Sequence, residues 1–134
     1  SNVAIGYSAL GLNTVGIRNT IVGTAAGYNG GSYNSAFGYY ALKNSTANGN
    51  SAFGYKALAS NTVGQNNNAF GAYSLASNSN GLNNSAFGFA ALQNNTTGYN
   101  NTFVGFNSGL GNTGPNAVFN TFIGSSSLTI KNTF

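Results

Sequence analysis

The chain has 134 residues and a formal charge of +4, and it contains no Asp, Glu, His or Cys. Acid/base catalysis needs groups that titrate near neutrality, a Ser nucleophile needs a base, and zinc sites and disulfides need His or Cys, so the composition argues against enzyme activity, metal and cofactor alike. The cations Arg18, Lys43, Lys56 and Lys131 are spread along the chain, so the high pI reflects missing acids rather than a basic groove, and nucleic acid is not an expected partner.

The first run, Asn2 to Leu10, reads NVAIGYSAL, and the same pattern then returns along the whole chain. Glycines that follow a bulky apolar residue stand at Gly6, Gly23, Gly38, Gly54, Gly71, Gly88, Gly105 and Gly124, with spacings of 17, 15, 16, 17, 17, 17 and 19. Each unit opens on an asparagine: Asn2, Asn19, Asn34, Asn50, Asn67, Asn84, Asn101 and Asn120. The fourth place is always large and apolar, namely Ile5, Val22, Phe37, Phe53, Phe70, Phe87, Val104 and Ile123. A second punctuation follows in the long turns, NTVG from Asn13 and again from Asn61, NSNG from Asn78 and NTTG from Asn95. Asn and Gly tolerate left-handed backbone, so the glycines and these motifs are predicted turns.

Between turns there is room only for short strands, and the Gly and Asn density argues against helices. The prediction is therefore one domain over residues 1–134, an all-β parallel β-solenoid (β-roll) of about eight coils with a mostly 17-residue repeat. With ~4.8 Å per coil it would form a rod on the order of 38 Å long. No apolar run approaches the ~20 residues of a membrane span, so membrane insertion is not expected. The first residues lack the charged-then-apolar order of a secretion signal, which reads as a mature segment or an excised piece.

The units also report on their own packing. Where the ninth place shrinks to Gly27 or Gly109, the third place grows to Ile21 or Phe103; elsewhere the pairs are Ala36 with Leu42, Ala52 with Leu58, Ala69 with Leu75 and Ala86 with Leu92. A shared close-packed volume demands such an exchange, so these pairs are the candidate coil core. Phe122 with Leu128 departs from the pattern. Strand alternation sends the fourth place to the opposite face, where an apolar stripe in a monomer would meet water. The stripe is thus the candidate subunit interface; the competing reading is that the glycine turn tucks both places into one core. Asn side chains at the unit start and in the long turn are expected to stack as hydrogen-bonded ladders.

The units Asn34 to Leu42, Asn50 to Leu58 and Asn84 to Leu92, each followed by Asn/Thr/Gly turns, resemble the NTAxGYxAL repeats of bacterial and viral tail-fibre-like surface proteins. They are similar, more distantly, to the head repeats of trimeric autotransporter adhesins. The resemblance implies a non-enzymatic extracellular fibre or adhesin-like stalk or head module at a cell surface or on a virion, assembled as a homotrimer, with a host-surface or glycan receptor. Most units here are longer than the adhesin-head unit, so handedness and cross-section do not carry over.

Two alternatives stand beside this expectation. The chain begins and ends inside its own pattern, which would suit a fragment of a longer fibre or a head-to-tail filament of stacked coils. An ice- or carbohydrate-binding solenoid would need a regular outward array, and Thr recurs at the second place and in the long turn only in alternation with other residues. Sequons occur at Asn44, Asn83, Asn94, Asn95 and Asn100, as expected of this composition, and the loop around Pro115 is the most individual stretch and the candidate receptor contact.

Overall fold

The computed structural model describes residues 1–111 and 117–126. Among these the chain is all-β, without a helix. Eight three-residue strands follow one another: β1 (Val3–Ile5), β2 (Thr20–Val22), β3 (Ser35–Phe37), β4 (Ser51–Phe53), β5 (Asn68–Phe70), β6 (Ser85–Phe87), β7 (Thr102–Val104) and β8 (Thr121–Ile123). They form a single sheet in sequence order. Every neighbouring pair is parallel and matches like place with like place, as in Ala36↔Ala52 and Phe37↔Phe53. The shorter second and third units keep this register, so their missing residues are absorbed in the long turn. The fold is a parallel β-solenoid of about seven turns, since eight strands bound seven intervals. That is one fewer than the eight units counted in the sequence, because a turn closes only when the next strand returns beneath the last.

The interior is a thin column. Ala36, Ala52, Ala69 and Ala86 from the strands and Leu42, Leu58, Leu75 and Leu92 from the following turn are all buried, together with Ile21 and Phe103, in one cluster. The exchange read from the sequence is physical. A Cβ on Gly27 would lie 3.0 Å from Ile21 Cδ1, and one on Gly109 would lie 2.6 Å from Phe103 Cδ1. Phe122 packs partly against the same column, whereas Leu128 lies outside the described residues.

Truncating Leu58→Ala is accordingly expected to cost ~2–5 kcal/mol, the range for a buried leucine that leaves a cavity. Ala52→Ile in the same coil should restore part of it, since Ile21 already fills that space opposite Gly27. Urea unfolding of the two single variants and the double variant measures the coupling; additive losses would mean that the two places do not share a volume.

Between the strand and the leucine the backbone runs through two successive β-turns. In the fourth unit these are closed by Ala57 N donating to Gly54 O at 3.3 Å and Ala59 N to Lys56 O at 3.3 Å. The third residue of each turn is left-handed, Lys56 at φ 56° and Leu58 at φ 51°, which is the geometry of type II turns and ordinarily favours Gly or Asn. For a leucine this costs roughly 1–2 kcal/mol. Full burial of the side chain returns about 1.5–3 kcal/mol, and Leu58 N donates to Ser74 O of the next coil at 3.0 Å. The burial outweighs the strain, so Leu10, Leu42, Leu75 and Leu92 adopt the same conformation.

Candidate functional site: the outward aromatic face

From β2 onward, alternation within the strand turns the third place inward and the fourth outward; in the end strand β1, Ala4 is itself exposed. Phe37, Phe70 and Phe87 are exposed, as are Ile5 and Ile123, and Val22, Phe53 and Val104 are half-buried. The reading in which the glycine turn folds both places into one core is therefore excluded. The reason is local: each glycine follows the strand, so the alternation is intact up to the fourth place.

Because register stacks like on like, the phenyl rings form a ladder. Centroids are 4.8 Å apart for Phe37–Phe53, 4.6 Å for Phe53–Phe70 and 5.1 Å for Phe70–Phe87, with planes within 12° of parallel. This spacing is the coil rise, which is close to the offset-stacking distance of aromatic rings. A second ladder runs beside it from the sixth place, with Tyr39–Tyr55 at 5.5 Å and Phe89–Phe106 at 5.4 Å. In the fifth unit the sixth place is Ala72, and Tyr73 from the next place fills the rung, 5.2 Å from Tyr55 and 6.0 Å from Phe89. In the stacked phenylalanine ladder the ring faces cover one another and the edges point to solvent. A sugar that stacks on ring faces finds no platform there; an apolar layer laid across the edges does.

The buried asparagine side chains are engaged within the coil. Along the unit-opening ladder each Asn Oδ1 accepts the backbone N–H of the next Asn, from Asn19 on Asn2 at 2.9 Å to Asn120 on Asn101 at 3.1 Å. A second ladder in the long turn runs from Asn95 to Asn78 (2.9 Å), Asn78 to Asn61 (3.0 Å) and Asn61 to Ser45 (3.1 Å). Thr46 and Thr62 hydroxyls donate to the carbonyls of Thr62 and Ser79, both at 3.1 Å. These two turn hydroxyls thus serve the solenoid itself, and the outward second place, Ser or Thr in six of the eight units, is interrupted by Val3 and Asn68. Of the sequon asparagines, Asn44 and Asn83 are exposed, Asn94 and Asn100 are half-buried, and Asn95 is a buried rung. Pro115 and its immediate neighbours lie outside the described residues.

Three of the four cations lie over tyrosine rings: Arg18 over Tyr33 at 5.4 Å, Lys43 over Tyr40 at 4.1 Å and Lys56 over Tyr55 at 5.3 Å. With no carboxylate side chain in the sequence, ring faces are the partners that remain. The Tyr40 hydroxyl is held below its usual range, first by its hydrogen bond with Tyr39 and then by the Lys43 charge, and Tyr39 is raised by the same hydrogen bond. Among the described residues no group of His, Cys, Asp or Glu could hold a metal ion. Fold and face together define a parallel β-solenoid that carries an exposed aromatic stripe. Comparison with protein-family models, curated proteins and solved structures gave no match.

Proposed function

We propose that the chain is a non-enzymatic structural module of an extracellular fibre or adhesin-like stalk, at a cell surface or on a virion, assembled from identical copies. The observation that carries the proposal is the continuous outward stripe from Ile5 through the stacked Phe37, Phe53, Phe70 and Phe87 to Ile123. Contiguous apolar surface of that kind usually marks a protein interface. A sister chain with the same period matches it best, since its rungs repeat at the same coil rise. The resemblance of the units to trimeric adhesin heads makes three copies the number to test. The receptor, in this reading, is a host-surface or glycan ligand contacted elsewhere than on the stripe.

Phe53→Asn tests the interface, because it removes one rung of the stripe without touching the inward column. Sedimentation should show an oligomer for the parent chain and monomers for the variant, with an unchanged far-ultraviolet spectrum. A parent chain that sediments as a stable monomer would overturn the interface. Rods that lengthen with concentration would instead favour a head-to-tail filament.

A further inference from the structure

Of the long-turn motifs, NTVG, NTTG and NSNG, only the last places a side-chain amide directly before the glycine, at Asn80. Asparagine followed by glycine sets an electrophilic amide carbon beside a backbone nitrogen that no Cβ shields, on a residue free to take the torsions of a five-membered ring. Two other such steps occur, Asn29–Gly30 and Asn48–Gly49, and both are tied down. Gly30 N donates to Gly27 O at 3.0 Å, and Asn29 Nδ2 donates to Asn44 O at 3.3 Å. Gly49 N donates to Ser32 O at 3.0 Å, and Asn48 Oδ1 accepts from Ser32 N at 2.7 Å.

Asn80 differs on both counts. Its side chain is exposed and meets only the Thr62 hydroxyl, at 3.4 Å, beyond the usual range for an O–H donor. Gly81 N donates no hydrogen bond among the described residues, whereas the equivalent Gly16 N and Gly64 N donate to Asn13 Oδ1 at 2.8 Å and to Ser79 O at 3.3 Å. Gly81 is buried, and a buried backbone N–H without an acceptor is uncommon in folded chains. Asn80 and Leu82 on either side of it are exposed, so the peptide lies one residue from solvent in both directions.

We propose that Asn80 is a self-modification site, at which the folded chain loses a side-chain amide to water. Hydroxide takes the proton from Gly81 N, the nitrogen attacks Asn80 Cγ, and as that N–C bond forms the bond to the side-chain nitrogen breaks and ammonia leaves. Water then opens the cyclic imide at one of its two carbonyls, giving aspartate on the original backbone or isoaspartate with the main chain rerouted through the side chain. No electron is gained or lost. The two products differ in their effect on the solenoid. Gly81 O accepts from Asn67 Nδ2 at 2.8 Å and from Asn78 Nδ2 at 3.1 Å, so both asparagine ladders meet on this carbonyl. Isoaspartate inserts one extra carbon into the backbone just before it and pulls it out of register with both. The inference does not rest on the proposed assembly, because every group involved belongs to one chain and stands in the long turn, away from the aromatic stripe.

The test is incubation of the full chain in mildly alkaline buffer, with peptide mapping by mass spectrometry at intervals. Asn80 should convert first, about ten-fold ahead of Asn29 and Asn48, the factor by which the need to open coil hydrogen bonds thins the reactive population at those two. In concentrated urea the three should convert at similar rates, since each precedes a glycine. Asn80→Gln should remove the fast conversion and leave the slow ones. The isoaspartate form, separated by ion exchange, should unfold at a lower urea concentration than the aspartate form. The proposal is overturned if Asn29 or Asn48 keeps pace with Asn80 in the folded chain, if the same ranking persists in urea, or if Asn80 stays intact while the unfolded chain converts. An isoaspartate form as stable as the aspartate form would overturn the link to the ladders. None of these results alters the sedimentation test of the stripe, so the two proposals stand or fall separately.

Discussion

Gly54→Ala is expected to destabilise the solenoid by about 2–6 kcal/mol, the sum of a strained backbone and an overpacked contact. Gly54 has φ +140°, a conformation that L side chains rarely adopt, and a Cβ there would lie 2.6 Å from both the carbonyl carbon and oxygen of Gly71 and 2.8 Å from Ala72 N. Those atoms are backbone and have no rotamer in which to retreat. The coils would have to separate just where Gly54 N donates to Phe37 O and Gly71 N donates to Phe53 O, both at 2.8 Å. The same approach recurs at Gly6, Gly23, Gly38, Gly71, Gly88 and Gly105, each packed on the backbone of the next glycine in the ladder; Gly124 at φ +154° meets only the Phe122 ring, at 3.4 Å and beyond. Lys56→Gly provides the contrast. Lys56 is left-handed at φ 56°, so glycine there should relieve strain and leave the urea midpoint unchanged or higher. A Gly54→Ala chain with the parent's midpoint would show that the coils are not in backbone contact at this corner.

The period, the strands and the inward column were legible because internal copies can be compared with one another. A residue that changes size only when its partner does, as Ile21 does with Gly27, reports a contact without any coordinates. The turn glycines were legible for a different reason, since only glycine tolerates both the torsion and the missing 3 Å that a Cβ needs. What the sequence left open at the fourth place was decided by a detail of position: the turn follows Phe37 and its equivalents rather than preceding them. The left-handed leucines were not legible at all. Leucine carries no signal for positive φ, and its conformation is set by burial in the column and by the hydrogen bond to the next coil, both of which exist only once the coils have stacked.

Asn84→Ala should destabilise the solenoid, and Asn84→Asp should convert that cost into a pH dependence. Asn84 Oδ1 accepts from Asn101 N at 3.1 Å and from Asn101 Nδ2 at 3.0 Å, while its own Nδ2 donates to Gly98 O at 2.7 Å and to Asn67 Oδ1 at 3.1 Å. The residue is fully buried. Alanine therefore strands the buried Asn101 N–H, whereas the Gly98 carbonyl keeps Asn95 Nδ2 as a donor at 3.2 Å, so the loss is ~1–3 kcal/mol for the one unsatisfied group, with the cavity adding to it. Aspartate keeps the shape but replaces the donor with an oxygen that faces the Gly98 carbonyl. Burial and those facing oxygens disfavour the carboxylate, so its folded pKa rises above the unfolded value of about 3.9. The folded state then holds the proton more tightly than the unfolded chain. Stability is fully present below the unfolded pKa, where the acid can still donate to Gly98 O, and is lost as pH rises through the folded pKa. The parent chain has no Asp, Glu, His or Cys, so the difference between the two unfolding curves from pH 3 to pH 8 belongs to the new group. An aspartate variant as stable at neutral pH as at low pH would mean that the rung is open to water, and the ladder would then be decoration on the solenoid rather than part of its frame.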